Sequence, residues 1–477
     1  MSDTQAKIAI IGGGIAGSTA ALLLSRTGAQ ITLYEKASSL VSGPPFCHLH
    51  AGGNLYPQIS DEQCLKLLEQ SIAFARLYPH GVDHRPTITA LPAYCSRSTA
   101  HLLPRLEKLT AHYRTLIAKD PANEVLGKPE HYFRPYDKTT IESLKKRPIV
   151  PYPQTPDEWM IPFAHEVDLE TIQFPIILVQ EYGLNLFRIG AGEMLALSKI
   201  PNVDLRLETE VTQIDKTDSG WRITATQNGQ PSQKHFDYLI NAAGFLTGRI
   251  DDMIGVPCER MVEFKAAYVS HWEREREHLW PEIVFHGERG TPRGMGQFTP
   301  YPQGYFQLHG MTKEITLYEE GLVANTPQSC QPQLPQNLME KILKSWSEEE
   351  TSTRTQSAIR HLARFIPSFA TATIGSKPLF GAQQIPGSDP TLRVAEVAFP
   401  APRYARAEIV KVSSVVDMCS AIVDDLQNYA QTDKERFDPR YPYFESIDET
   451  ELGTLAEQIA VSREYPAALA RRCVPLG

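Results

Sequence analysis

The run Gly12-Gly13-Gly14-Ile15-Ala16-Gly17 constrains this chain more than any other feature. An apolar stretch over 6–11 precedes it and reads as a buried strand, while 16–27 suits a helix that Gly28 closes with a positive φ. Residues 30–35 then read as a second strand, so the segment is a βαβ unit whose two strands should be parallel neighbours. Each glycine has its own task in such a turn. Gly12 makes the bend, Gly14 lets the backbone approach a pyrophosphate, and Gly17 lets helix and strand pack closely. The amides of Ile15 and Ala16, at the positive end of the helix, suit anionic phosphates. Glu35 ends the second strand near the spacing of about 20 residues at which an acidic side chain meets the ribose hydroxyls, which favours FAD or NAD over NADP. Lys36 beside it joins the cofactor set.

The chain has 477 residues, enough for two lobes, and its 47 Lys+Arg against 56 Asp+Glu leave a net charge of −9. That balance argues against a protein that neutralises nucleic-acid phosphates and favours small-molecule partners. Seven cysteines without CxxC spacing fit a reducing compartment. No basic leader precedes the first strand, and glycines interrupt the longest apolar stretch, 8–24, so no transmembrane segment is expected. The expected location is the cytoplasm, with peripheral contact at a membrane left open.

Along the chain, 42–57 reads as a functional loop. Ser60 to Gln63 form a capping box for a helix ended by Pro79, and an amphipathic helix runs over 100–118. Three strand-like runs at 205–214, 221–226 and 235–240 suggest an antiparallel meander. Strands are expected at 262–270, 295–299, 304–310, 314–318 and 392–399, and helices at 336–348, 352–365 and 405–426. Residues 119–175 show no periodicity.

Three further segments accompany the fingerprint: Asn241-Ala242-Ala243-Gly244 at the end of an apolar strand, His48-Leu49-His50-Ala51-Gly52-Gly53, and Phe380-Gly381 running on through Pro400. With them the chain resembles the FAD-dependent oxidoreductases of the D-amino acid oxidase and glycine oxidase superfamily. The His48 to Gly53 loop and Glu181-Tyr182-Gly183-Leu184-Asn185 are similar to the 2-hydroxyglutarate oxidase and malate:quinone oxidoreductase branches. The resemblance implies an α/β fold, α+β overall. Its Rossmann-like FAD-binding domain would be built from discontinuous segments, 1–60, 176–255 and 376–430. A mixed-sheet substrate domain would occupy 61–175 and 256–375, with a C-terminal extension at 431–477. FAD is the implied cofactor, and His50, Ala51, Val211, Ala243, Gly244 and Arg403 join the residues expected to hold it.

A flavin enzyme needs a group that anchors the substrate and one that takes a proton. Arg403, ahead of Arg406, is the candidate for a substrate carboxylate, because a planar guanidinium grips both oxygens. His50 and His309 are the proton acceptors expected near neutral pH, and Tyr305, Gln307 and His309 share one strand face. Lys265 is a further candidate. Cys47, His48 and His50 complete no metal-ligand pattern, so no metal is expected, while a covalent bond to flavin stays open. Lys145-Lys146-Arg147 reads as a solvated turn. The reaction expected is dehydrogenation of a small carboxylate-bearing substrate. A 2-hydroxy acid such as malate or 2-hydroxyglutarate is favoured; the alternatives are an N-substituted amino acid or amine, or a flavin-binding module without turnover. Oxygen, a quinone or an electron-transfer protein could each take the electrons.

Overall fold

The computed structural model describes residues 5–44, 47–49, 59–275, 277–392 and 394–473. Among them, two sheets organise the molecule. The first has six strands in the order Val397–Ala401, Tyr404–Ala407, Tyr238–Asn241, Lys7–Ile11, Gln30–Tyr34 and Val203–Arg206. All pair in parallel except the outermost hairpin, Val397–Ala401 with Tyr404–Ala407. Ile10 stands between Leu33 and Ile240, so the glycine turn leaves the centre of the sheet. The helix Ile15–Ser25 is apolar nearly all round and is buried, as a helix between a sheet and further helices must be.

The meander has its own three-stranded sheet, Thr209–Lys216, Trp221–Gln227 and Gln230–Phe236. Two of the expected runs are each divided between sheets. Glu208, at φ 52°, turns the chain after Val203–Arg206 has joined the parallel sheet. Likewise Gln230–Phe236 closes the meander before Tyr238–Asn241 slots beside Lys7–Ile11.

The second sheet has ten strands. Its spine is the twelve-residue strand Arg260–His271, which pairs with Tyr305–Gly310, Leu322–Ala324, Thr373–Ile374 and Leu379–Pro386. Gly296–Tyr301, Glu282–Phe285, Thr87–Ala90, Ile176–Val179 and Phe133–Tyr136 extend it. One face packs against Pro156–Glu166 and Glu348–Ala363 through Phe163, Phe298, Phe306 and Leu362. On the opposite face Glu263, Lys265, Gln297, Gln307 and His309 line a cavity, while Ala267, Val269 and Leu379 join the apolar cluster of the helix Glu449–Ser462.

Several expectations need correction. Residues 314–318 form turns, because their amides bond locally to Gly310 and Thr312. The helix expected over 405–426 starts at Val415, since Tyr404 and Ala405 pair beside Leu239 and Ile240 as a strand. Asp61–Leu77, capped by Ser60, and Leu103–Lys119 lie in the core of the first sheet, where Cys64, Leu68 and Leu106 join Ile10 and Leu22. Ile176–Val179 belongs to the second sheet. Within 119–175 the helices Lys138–Leu144 and Pro156–Glu166 form, the latter with a complete Thr155–Glu158 capping box. The final segment is no appendage: Glu449–Ser462 packs Leu452, Ala456 and Ile459 against Phe187 and Ala191.

Candidate functional site

A cavity of about 1580 Å³ runs from the glycine turn to the polar face of the ten-stranded sheet. At the turn, Gly12 has φ 100° and donates its N–H to the Tyr34 carbonyl at 2.8 Å. A Cβ on Gly12 would stand 2.4 Å from the Ala242 oxygen, and one on Gly17 would stand 1.8 Å from the Gly12 oxygen. Gly14 is different, with no atom within 4 Å of its would-be Cβ. It lines the cavity beside Ile15 and Ala16, and no side chain caps the helix there, so the first-turn amides face a cradle shaped for an anion. Glu35, buried at the cavity wall, accepts from Gly13 N at 2.6 Å and Ala37 N at 2.7 Å. Each carboxylate oxygen keeps a lone pair for a ribose hydroxyl. Lys36, Val211, Ala243 and Gly244 line the same end.

At the far end, Lys265 and Glu263 project from the strand Arg260–His271, with Lys265 Nζ 2.5 Å from Glu263 Oε2. Arg289 binds the other oxygen of Glu263. Burial lowers the Lys265 pKa, and Glu263 only partly offsets this. Burial opposes the Glu263 charge, but Lys265 and Arg289 outweigh it and hold that pKa below the usual value. Gln297, Gln307 and His309 line the adjoining wall. Gln297 Nε2 donates to Glu282 Oε1 at 2.5 Å, and Glu282 accepts from Arg85 at 2.8 Å, which fixes that wall from behind. His309 Nδ1 lies 3.5 Å from Thr316 Oγ1.

Residues 7–135 match the family model DAO, described as FAD dependent oxidoreductase. Solved structures with the same fold include glycine oxidase from Geobacillus kaustophilus, with a TM-score of 0.55, 13% identity, and 89% of this chain and 95% of that one covered. L-alpha-glycerophosphate oxidase from Mycoplasma pneumoniae with FAD bound gives a TM-score of 0.55, 16% identity, and coverage of 89% and 95%. L-amino acid deaminase from Proteus vulgaris gives 0.56 and 11%, covering 91% and 96%. No curated protein matches the sequence.

Over 7–135 the sequence thus matches FAD-dependent oxidoreductases, and the chain shares their fold. The glycine cradle and Glu35 are where the pyrophosphate and adenosine ribose of such a cofactor would be held. The cavity exceeds the roughly 300–1,000 Å³ of a drug-sized ligand site, leaving room for substrate beside the cofactor. Lys411 and Val412 line it just ahead of the helix Val415–Leu426, which places that helix start near the cavity.

The candidate residues fare unequally. His309 lines the cavity, whereas His50 and Ala51 lie outside the described residues. Tyr305 does not line it; its ring sits 4.7 Å from that of His271, because the strand has run past the cavity by then. Arg403 is corrected outright. It sits in the Val397–Ala401/Tyr404–Ala407 turn with φ 62°, and its guanidinium donates to the carbonyls of Asp237 and Tyr429 at the opposite end of the parallel sheet. Arg406 is locked between Glu408 at 2.5 Å and Asp251 at 3.2 Å. Among the cations that do line the cavity, Lys265 comes from the strand Arg260–His271 and Arg289 from the loop after Glu282–Phe285. The Glu263/Lys265 alternation was the signal for Lys265, and no local signal marked Arg289.

Proposed function

We propose that this oxidoreductase dehydrogenates a small carboxylate-bearing substrate, with a 2-hydroxy acid as the first choice. The observation that carries the reading is the Lys265–Glu263–Arg289 cluster, in which two cations share one carboxylate and leave positive charge on the cavity wall. A substrate carboxylate placed there completes the pairing, and burial makes such a pairing strong. Bound FAD supplies a hydride acceptor. The protein's own tasks are to hold the substrate anion at Lys265 and Arg289, and to take the hydroxyl proton at His309. Gln297 and Gln307 complete the polar wall that orients it.

A second reading, oxidation of an amino acid, draws support from the fold shared with glycine oxidase and L-amino acid deaminase. Product analysis separates the two. Incubation with malate, 2-hydroxyglutarate, glycine and sarcosine should yield a keto acid without ammonia or amine. Release of ammonia or methylamine from the amino compounds, with the hydroxy acids inert, would replace the first reading by the second.

A further inference from the structure

Two cysteines that the proposed chemistry does not use meet behind the cavity wall. Cys258 precedes the strand Arg260–His271, and Cys330 lies 72 residues further on, ahead of the helix Gln336–Leu343. Asn325 clamps the two stretches together. Its Nδ2 donates to the carbonyls of Cys258 at 3.0 Å and Ser329 at 3.2 Å, and its Oδ1 accepts from Arg260 N at 2.8 Å. The Cys258 thiol donates to the Cys330 carbonyl at 3.7 Å and the Cys330 thiol to the Val256 carbonyl at 3.2 Å, with the two thiols within hydrogen-bond reach of each other.

Their surroundings differ. Cys258 is half-buried between the exposed Pro257 and Glu259, whereas Cys330 is 8% exposed. A small reagent therefore reaches Cys258 first, and Cys330 stands behind it as the thiol that resolves an adduct. Arg260 Nε donates to Cys258 Sγ at 3.3 Å, which steadies that sulfur and favours its thiolate. Burial, helped by the Cys330 thiol, outweighs Arg260 and pushes the Cys258 thiol up to about 12, so the pair reacts slowly near neutral pH.

The segment around Cys330 is bonded to the cofactor end of the cavity. Gln331 donates from Nε2 to the Phe245 carbonyl at 3.0 Å and accepts from Arg249 N at 3.0 Å, and Phe245 and Arg249 line the cavity beside Ala243 and Gly244. Cys330 N and Ser329 Oγ each donate to Asp252 at 2.6 Å, on the helix Thr247–Ile254. A Cβ on Gly248 of that helix would stand 2.2 Å from the Cys330 oxygen, so helix and segment are in close contact.

We propose that Cys258 and Cys330 are a modification site at which a low-molecular-weight disulfide installs a cross-link, and that the cross-link fixes the wall at Phe245 and slows the release of FAD. The Cys258 thiolate attacks one sulfur of the small disulfide, whose S–S bond breaks, and one small thiol leaves with the Cys258 proton. The Cys330 sulfur then attacks the Cys258 sulfur of the mixed disulfide, and the second small thiol leaves with the Cys330 proton. Two protein sulfurs are oxidised and two reagent sulfurs reduced. Excess small thiol reverses both steps, so a reducing compartment keeps the pair as thiols.

The test treats the FAD-loaded protein with oxidised glutathione, alkylates the remaining thiols and identifies the peptides by mass spectrometry without reduction. The expected product is a Cys258–Cys330 cross-link, formed at least about tenfold faster at pH 9 than at pH 7, because the thiolate of a weakly acidic thiol grows about tenfold per pH unit. The cross-linked protein should release FAD severalfold more slowly, and dithiothreitol should undo the effect. Cys330→Ser should stop at a glutathione adduct on Cys258, and Cys258→Ser should form neither product. Both cysteines still alkylated after an exposure that modifies the half-buried Cys95, or a lasting glutathione adduct on Cys258 of the native protein, would overturn the site. A cross-link that leaves FAD release unchanged would overturn its connection to the cofactor.

Discussion

At the scale of single residues, the glycine turn makes the sharpest demands. Gly14→Asp fits the protein's own atoms but sets a carboxylate into the phosphate cradle, so the purified variant should be folded and colourless. Full flavin content would remove the cradle from the account. Gly17→Ala acts by another route, because its methyl group meets the Gly12 carbonyl; the expected loss is about 1–3 kcal/mol or more, read as a lowered Tm. Lys265 adds a pH signature. Burial lowers its pKa, so its positive charge is lost at a lower pH than in an exposed lysine. The KM for a carboxylate substrate should therefore rise on the alkaline side before pH 10.5, and Lys265→Arg, which stays charged, should abolish that rise. A profile identical in the two proteins would take Lys265 out of the anion site. The fingerprint was legible because all its signals lie within one local unit. Arg403 was misread because its place depends on a hairpin whose pairing with Leu239 and Ile240 lies far away in sequence.

At the scale of elements, the Ser60 cap marked the helix Asp61–Leu77 and an apolar stripe marked Leu103–Lys119, while Ile15–Ser25, uncapped and apolar nearly all round, was placed by the glycine turn before it and Gly28 after it. It failed where neighbouring strands enter different sheets, as at Glu208 and Asp237, because hydrophobic alternation records burial and not the partner. The helix Leu186–Ser198 holds a buried acid that no pattern disclosed. Glu193 is fully buried and bonded to the Tyr78 hydroxyl, which in turn meets Thr19 at 2.7 Å. Burial raises its pKa from 4.5 to about 8, against a smaller opposing effect of the Tyr78 bond. The folded protein thus keeps a proton that the unfolded chain has lost between those two pH values, so stability falls as pH rises through that window. Glu193→Gln should flatten this dependence, leaving Tm near the native value at pH 4.5 and above it at pH 8. A parallel pH dependence in both proteins would place the titration elsewhere.

At the scale of the whole molecule, the cavity is shaped by parts far apart in the chain. Arg463, near the C-terminus, donates to Ser39 Oγ and the Leu40 carbonyl at 2.8 Å and to the Val41 carbonyl at 3.1 Å; Val41 N in turn bonds the Gly13 carbonyl. Arg463→Met should therefore loosen the cavity wall and raise the dissociation constant for FAD, measured by fluorescence on reconstitution. Unchanged FAD affinity would make that tether a matter of packing alone. The two-sheet architecture and its cofactor could be anticipated from the first 35 residues and a few small-residue returns. Of the polar wall, Gln307, His309 and Lys265 could be picked out by strand alternation, but not their assembly with Gln297, because the three strands that carry them are brought side by side only by the fold. No described helix is long and apolar enough to cross a membrane. The most direct test of the central claim is the visible absorption spectrum of the purified protein, recorded without oxygen before and after addition of hydroxy acids and amino acids. A flavin band that one carboxylate-bearing class bleaches is the predicted result; a preparation that is colourless and cannot be reconstituted with FAD would contradict it.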